Sequence, residues 1–351
     1  MKKINVTILL ITNVFLASQV IASSQSEMII DKNVRIAAID GNMIAYISYA
    51  ETKAIRAQLY TYNLANHEKK QISHLYDVFI DDLIYKNEEI VWWGESYSGS
   101  KSSSSTSDNA SEKILVWLDA NGKVKAQWDI AEGFKSATIW NGDIYIINVL
   151  TEVTKLEKNK PMPSLDLAKI ARPERNGITR QIRFLNGPDE KLTYCNGPSG
   201  MKADDWVTYC YQVDENGNKN ELTKVYSLYR AHRGVSNHPI FCGNDIFWLE
   251  HAQNKFDLFH MKLDAEETLK LARFTNLPIM NCYNNELYLY SKEQDNFKTI
   301  TGKSGTKQSN LFHHKNISSS TTGNIWPARI NHKLYDIELN EGILSINKAN
   351  E

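Results

Sequence analysis

The sequence predicts an all-β fold, a single β-propeller, on three observations. A short strand–turn–strand pattern recurs along the chain, the strands after the turns stay apolar on both faces, and strand-forming segments stand near both chain ends. Seven four-stranded blades is the preferred count, with six or eight left open.

The recurring pattern is two or three apolar residues, a turn of Asn, Gly or Asp, and then an apolar strand. It runs from Ala38 to Tyr46, from Ile84 to Trp92 and from Ile139 to Ile146. A stretched fourth copy ends at Asp205-Trp206-Val207-Thr208-Tyr209. Further copies run from Phe241 to Trp248, from Asn281 to Tyr288 and, degenerately, from Arg329 to Tyr335. Copies begin roughly 40 to 60 residues apart, the length of a four-stranded blade. A strand with one wet face alternates. Ile144-Tyr145-Ile146-Ile147 and Ile246-Phe247-Trp248-Leu249 do not, as expected of strands covered on both sides. Trp92, Trp93, Trp140, Trp206 and Trp248 fall in or beside these strands and are assigned to the core, whereas Trp117 and Trp128 flank a hairpin at Asn121-Gly122 and are expected to be partly exposed. After the seventh copy only Gly342 to Ile346 remains as a strong strand, so Met28-Ile29-Ile30 is expected to complete the last blade and close the ring.

The chain has 351 residues, and all-β propellers of more than about 250 residues occur as one domain. Forty Lys and Arg against 41 Asp and Glu leave a net charge of -1. There is no Lys/Arg run longer than two, which argues against nucleic acid as partner. Lys2 and Lys3 precede a mostly apolar stretch, Ile8 to Ala17, of about ten residues. Val20-Ile21-Ala22 then offers a cleavage point before Ser23. Residues 1–22 are read as a bacterial-style signal peptide and 23–351 as the propeller, exported to the periplasm or secreted. No later run of about 18 apolar residues exists, so no transmembrane segment is expected in the mature chain.

Export gives weight to Cys195, Cys210, Cys242 and Cys282, because disulfides persist in oxidising compartments. Cys195 and Cys210 end two neighbouring predicted strands joined by Asn196-Gly197-Pro198-Ser199-Gly200, which favours pairing them. Cys242 and Cys282 then pair by elimination; free buried thiols are the alternative. Without a CxxC, a zinc or redox site has little support.

Two segments interrupt the repeat. Residues 96–111 are dominated by Ser, Thr, Gly and Asn and are expected to be a solvated loop. Residues 151–177 form an insertion in which Ser164 to Ala171 has the caps of a short helix.

Two copies resemble the TolB-type propeller repeat. The residues are Asp40 to Ser48, Gln58 to Leu64 and Lys70 to Ser73 in the first copy, and Asn244 to Leu249, Phe256 to Met261 and Leu269 to Thr275 in the fifth. The resemblance implies a blade and carries no functional residue, because such repeats serve scaffolds and peptidase gating domains alike.

Catalytic motifs are sparse. Gly94-Glu95-Ser96-Tyr97-Ser98-Gly99 looks like the nucleophile motif of serine carboxypeptidases, with Ser96 as nucleophile. A nucleophile elbow needs a following helix, and Lys101 to Ser107 cannot supply one, so the match is assigned to a polar hairpin loop. The carboxylate pairs Asp81-Asp82, Glu88-Glu89, Asp204-Asp205 and Glu266-Glu267 do not form acid/base pairs by adjacency, since strand neighbours face opposite ways. None of the nine histidines, including His313-His314, His232 and His238, has metal-ligand spacing. The sequence therefore predicts no cofactor and no metal. The leading functional expectation is a scaffold module that binds a protein or envelope component. A hydrolase or lyase with its site at the central channel is the alternative, and a charged cluster at one channel mouth would favour it.

Overall fold

The recurring pattern is the first hairpin of a sheet. Two-residue turns at Gly41-Asn42, Asn87-Glu88, Asn141-Gly142, Gly243-Asn244, Asn284-Asn285 and Asn331-His332 each join an inner strand to the next. Left-handed residues occupy them, among them Gly41 (φ 55°), Asn87 (φ 51°), Asn141 (φ 50°) and Asn284 (φ 51°). Tight hairpins demand this conformation, and Gly and Asn adopt it most cheaply.

The computed structural model describes residues 27–49, 57–75, 78–96, 112–164, 182–188, 191–196, 207–214, 217–226, 239–252, 255–263, 267–291, 312–316 and 324–349. The expected signal peptide, most of the Ser-rich segment and the expected helix after Ser164 lie outside them. Strand β1 (Met28–Asp31) opens the described chain. The first sheet holds β2 (Val34–Asp40), β3 (Met43–Tyr49), β4 (Ala57–Asn63) and β5 (Glu68–Leu75). The second holds β6 (Val78–Lys86), β7 (Glu89–Ser96), β8 (Glu112–Leu118) and β9 (Val124–Asp129). The third holds β10 (Phe134–Trp140), β11 (Asp143–Asn148) and β12 (Val153–Lys155). The fourth holds β13 (Ile182–Asn186), β14 (Leu192–Asn196), β15 (Val207–Val213) and β16 (Lys219–Tyr226). The fifth holds β17 (Ile240–Cys242), β18 (Asp245–Ala252), β19 (Lys255–Lys262) and β20 (Thr268–Phe274). The sixth holds β21 (Ile279–Tyr283), β22 (Glu286–Ser291) and β23 (Phe312–Asn316). The last holds β24 (Asn324–Ile330), β25 (Lys333–Asn340) and β26 (Ile343–Lys348), with β1 outermost.

These small sheets form a ring. A separate apolar cluster fills each junction between consecutive sheets. Ile47 and Leu59 of the first meet Ile80 and Trp92 of the second, and Trp93 and Trp128 of the second meet Ile144 of the third. Trp140 packs with Tyr194, Cys210 with Trp248, Phe247 with Leu287, and Tyr290 with Ile325. Ile337 and Leu344 of the last sheet return to Tyr46 of the first. Burial on both faces explains why these strands do not alternate.

The expected closure is present. β1 pairs antiparallel with β26, Met28 opposite Ile346. Lys69 Nζ on β5 meets the Asp31 carboxylate at 2.7 Å, tying the closing strand to the first sheet. Tyr290 Oη donates to Asp336 Oδ1 at 2.9 Å across the junction of the last two sheets, and burial pushes the Tyr290 phenol up.

Several expectations need correction. The fourth copy is misplaced: Val207 to Tyr209 lies in the third strand of its sheet, not the second. The true first hairpin pairs Asn186 with Leu192, and its Asn186-Gly187 dipeptide opens a connection longer than the two-residue turns of the other sheets. Trp117 and Trp128 are buried, at 2% and 3% exposure. The start of the 151–177 insertion covers them. Leu156 and Met162 pack into their cluster, Trp128 Nε1 donates to the Glu157 carbonyl at 3.1 Å, and the Lys158 ammonium sits 4.7 Å from the Trp117 ring. Four strands per sheet is not uniform either, since the third and sixth sheets have three among the described residues. In the sixth, β23 pairs parallel to β22.

Candidate functional site

Three neighbouring inner strands carry the same irregularity at the same end. In β2, Val34 pairs with Ser48 and Ile36 with Ile47, leaving Arg35 as an extra residue. In β6, Ile80 pairs with Gly94 and Asp82 with Trp93, leaving Asp81. In β10, Phe134 pairs with Asn148 and Ser136 with Ile147, leaving Lys135. A bulge re-aims side chains and breaks the alternation of a strand. Each extra residue is charged, and each lies near the start of its inner strand, so all three stand at one mouth of the channel.

Glycine makes the central bulge possible. A Cβ on Gly94 would lie 2.1 Å from the Phe79 carbonyl oxygen, so only Gly94 lets β6 swing this close to β7. This accounts for the first residue of the motif that looks like a serine nucleophile. Ser96 ends β7, opposite Val78 and Glu112, as an ordinary strand residue.

Around the bulges gathers a mixed-charge cluster. Arg183, at the start of β13, places Nη2 3.2 Å from Asp82 Oδ2. These strands belong to the fourth and second sheets, so the pair reaches across the mouth past the third. Burial raises the Asp82 carboxyl, outweighing the attraction of Arg183 and the hydrogen bond from the Leu83 amide. Burial also raises the Asp81 carboxyl, with Glu95 adding to the rise and Lys113 and Arg35 opposing it. Lys113 Nζ lies 3.5 Å from Glu95 Oε1. Arg35 stacks over Phe79 with its guanidinium 3.7 Å from the ring centre.

Between the second and third sheets this mouth opens into a cleft of about 480 Å³. Asp81, Lys113 and Trp93 line one side, and Glu132, Phe134 and Lys135 the other. Trp93 and Phe134 meet edge to face at 5.6 Å. The chemistry on offer is recognition of both charge signs beside an apolar wall. A cleft of this size suits a small molecule or a short chain segment.

Elsewhere the sequence candidates are structural. Cys195 and Cys210 face each other on β14 and β15 and are bonded, with Cα atoms 4.1 Å apart. Cys242 and Cys282 are bonded too, joining β17 of the fifth sheet to β21 of the sixth. Glu89 pairs with Lys125 and accepts from Trp117 Nε1, holding an outer strand. His260 is buried and hydrogen-bonds Asp245 through Nε2 at 2.5 Å. Asp257 is clamped by Arg273 at 2.6 Å and Lys270 at 2.5 Å, which hold its carboxyl below the usual range, Arg273 foremost. Among the described residues no group of three or more His, Cys, Asp or Glu side chains is placed to hold a metal. No helix long and apolar enough to cross a membrane occurs among the described residues. His232, His238, Asp204, Asp205 and Glu266 lie outside those residues.

Arg35, Lys113, Lys135 and Arg183 carry no sequence signal of their own. Asp81-Asp82 does: it interrupts an apolar strand at Val78-Phe79-Ile80 and Leu83-Ile84-Tyr85. That interruption coincides with the bulge of β6.

No protein-family model matches the chain, and no curated protein does. Solved structures do. An acylaminoacyl peptidase in complex with Z-Gly-Gly-Phe-chloromethyl ketone is 14% identical, with a TM-score of 0.44, over 88% of this chain and 51% of that one. The β-propeller domain of the Trilobed protease from Pyrococcus furiosus is 13% identical, with a TM-score of 0.40, over 71% of each chain. The computationally designed Ika8 protein is 7% identical, with a TM-score of 0.45, over 91% of this chain and 96% of that one. The chain spans about half the length of the acylaminoacyl peptidase. The all-β propeller stands on the strand pairing and the ring of junctions, and no activity is carried over from these similarities.

Proposed function

We propose that the protein is an exported, TolB-like recognition module of a bacterial envelope or its surroundings, binding a protein or envelope component through the charged mouth of its channel. The observation that carries this reading is the threefold bulge, which delivers Arg35, Asp81 and Lys135 to one mouth beside an open cleft. Sheet hydrogen bonding is given up three times at one end of the ring, where binding loops of rigid scaffolds gather. Two disulfides suit an oxidising compartment, periplasmic or extracellular.

A hydrolase or lyase at the same mouth is the second reading. Its support is the pair of carboxyls, Asp81 and Asp82, raised beside the cleft, since perturbed acids gather at catalytic sites.

Capture from an envelope extract tests the first reading, with the mature chain from Ser23 as bait and R35M/K135M as the matched control. A stoichiometric partner held by the native chain and lost by the variant supports it. A partner held equally by both removes the mouth from the account, and no partner at all moves effort to hydrolase screens.

A further inference from the structure

The cleft between the second and third sheets has more specific chemistry than the mouth as a whole. Its two walls come from different sheets, and each contributes a bulged charge: Asp81 from β6 and Lys135 from β10. Neither makes an ion pair or hydrogen bond among the described residues. Lys113, by contrast, is already engaged by Glu95 at 3.5 Å, and Asp82 by Arg183 at 3.2 Å. Among the described residues the cleft thus offers two carboxylates without an ion pair, Asp81 on one wall and the exposed Glu132 on the other, and one such cation, Lys135, facing Asp81, with Trp93, Phe134 and Ile130 as the apolar surface between them.

We propose that this cleft binds a short zwitterionic peptide or amino acid, its ammonium group at Asp81, its carboxylate at Lys135 and an apolar side chain against Trp93 and Phe134. This rests on the mouth being the recognition surface, and it deepens that reading by naming the ligand class. A ligand with one charge leaves the opposite wall unmatched. A neutral sugar leaves both walls unmatched. At roughly 480 Å³ the cleft falls in the range of small-ligand sites and holds a dipeptide.

The test is calorimetric titration of the mature protein with three probes of nearly equal shape: Ala-Phe, N-acetyl-Ala-Phe and Ala-Phe amide. Ala-Phe is expected to bind about tenfold more tightly than either blocked form, the usual scale for one charge contact at a partly exposed site. D81N should erase the advantage over N-acetyl-Ala-Phe while keeping most of that over the amide. K135M should do the reverse. Both residues are solvent-accessible in the cleft, so neither substitution opens a buried hole, and an unchanged thermal transition checks that the variants fold. Blocked forms binding as well as Ala-Phe would overturn the proposal, as would no binding by any of the three. If these titrations fail while R35M/K135M still loses a captured partner, the mouth stands as a recognition surface and the zwitterion site falls. If Ala-Phe binds as described and no partner is captured, the cleft is a small-molecule site and the scaffold reading falls.

Discussion

Breaking the bond between Cys242 and Cys282 perturbs the ring at one junction only. These residues sit on β17 and β21, the inner strands of the fifth and sixth sheets, and their bond closes a loop with a sequence separation of 40. On the chain-entropy account, a loop of this length stabilises the fold by roughly 4 kcal/mol. The bond between Cys195 and Cys210 closes a separation of 15 within one sheet, for which the same account gives about 3 kcal/mol. The two loops do not overlap in sequence, so their effects should add. The assay is urea unfolding of the native protein, C242A/C282A and C195A/C210A, each with and without reductant. Cys195 and Cys210 are fully buried and Cys242 is 2% exposed, so both alanine pairs also lose packing. The reduced native chain keeps its sulfur atoms and isolates the cross-link. We expect C242A/C282A to lose more stability than C195A/C210A, and reductant to take the native chain below both. A native chain insensitive to reductant, or a C242A/C282A variant within about 0.5 kcal/mol of native, would refute the inter-sheet bond.

Two further outcomes follow from other contacts. G94A should be among the most damaging single substitutions in the second sheet, because the added methyl meets the Phe79 carbonyl at 2.1 Å; expression yield and thermal unfolding read it, and a variant with native stability would show that β6 has no bulge there. D257N should cost about 1–3 kcal/mol at neutral pH, a figure discounted because the Arg273 and Lys270 side chains are 42% and 35% exposed. The Asp257 carboxyl is held below its usual range, chiefly by Arg273, so its stabilisation is fully present above the ordinary carboxylate range and fades as pH falls through the lowered value. Native and D257N stabilities should therefore converge in acid, and a gap that stays constant from neutral pH down to about pH 2 would contradict the ion pair.

The fold was legible where chemistry is local. Asn141-Gly142 and Gly243-Asn244 mark hairpins because left-handed turns need such residues, and those turns locate the first two strands of most sheets. The pairing of Cys195 with Cys210 follows from two strand ends and the turn between them. The fourth sheet was misread because its first hairpin uses a longer connection, Gly187 to Lys191. Burial of Trp117 and Trp128 was missed because the cover, Leu156 to Met162, comes from the segment that follows β12, about 30 to 45 residues onward. The mouth was the least legible part. Arg35, Asp81, Lys135 and Arg183 come from four sheets, and only closure of the ring brings them together. Asp81-Asp82 was dismissed on the alternation of a regular strand, the rule that a bulge suspends.

Everything assigned to the mouth depends on the second and fourth sheets meeting across the channel. Asp82 and Arg183 are 101 residues apart in sequence, and their side chains lie 3.2 Å apart. A double-mutant cycle with D82N, R183M and the two combined, read by urea unfolding, measures that meeting directly. Both side chains are partly exposed, so the coupling should be about 0.5–1 kcal/mol and should shrink in high salt. Strict additivity at low salt, within about 0.3 kcal/mol, would mean that these strands do not face each other and that the mouth is not built as described.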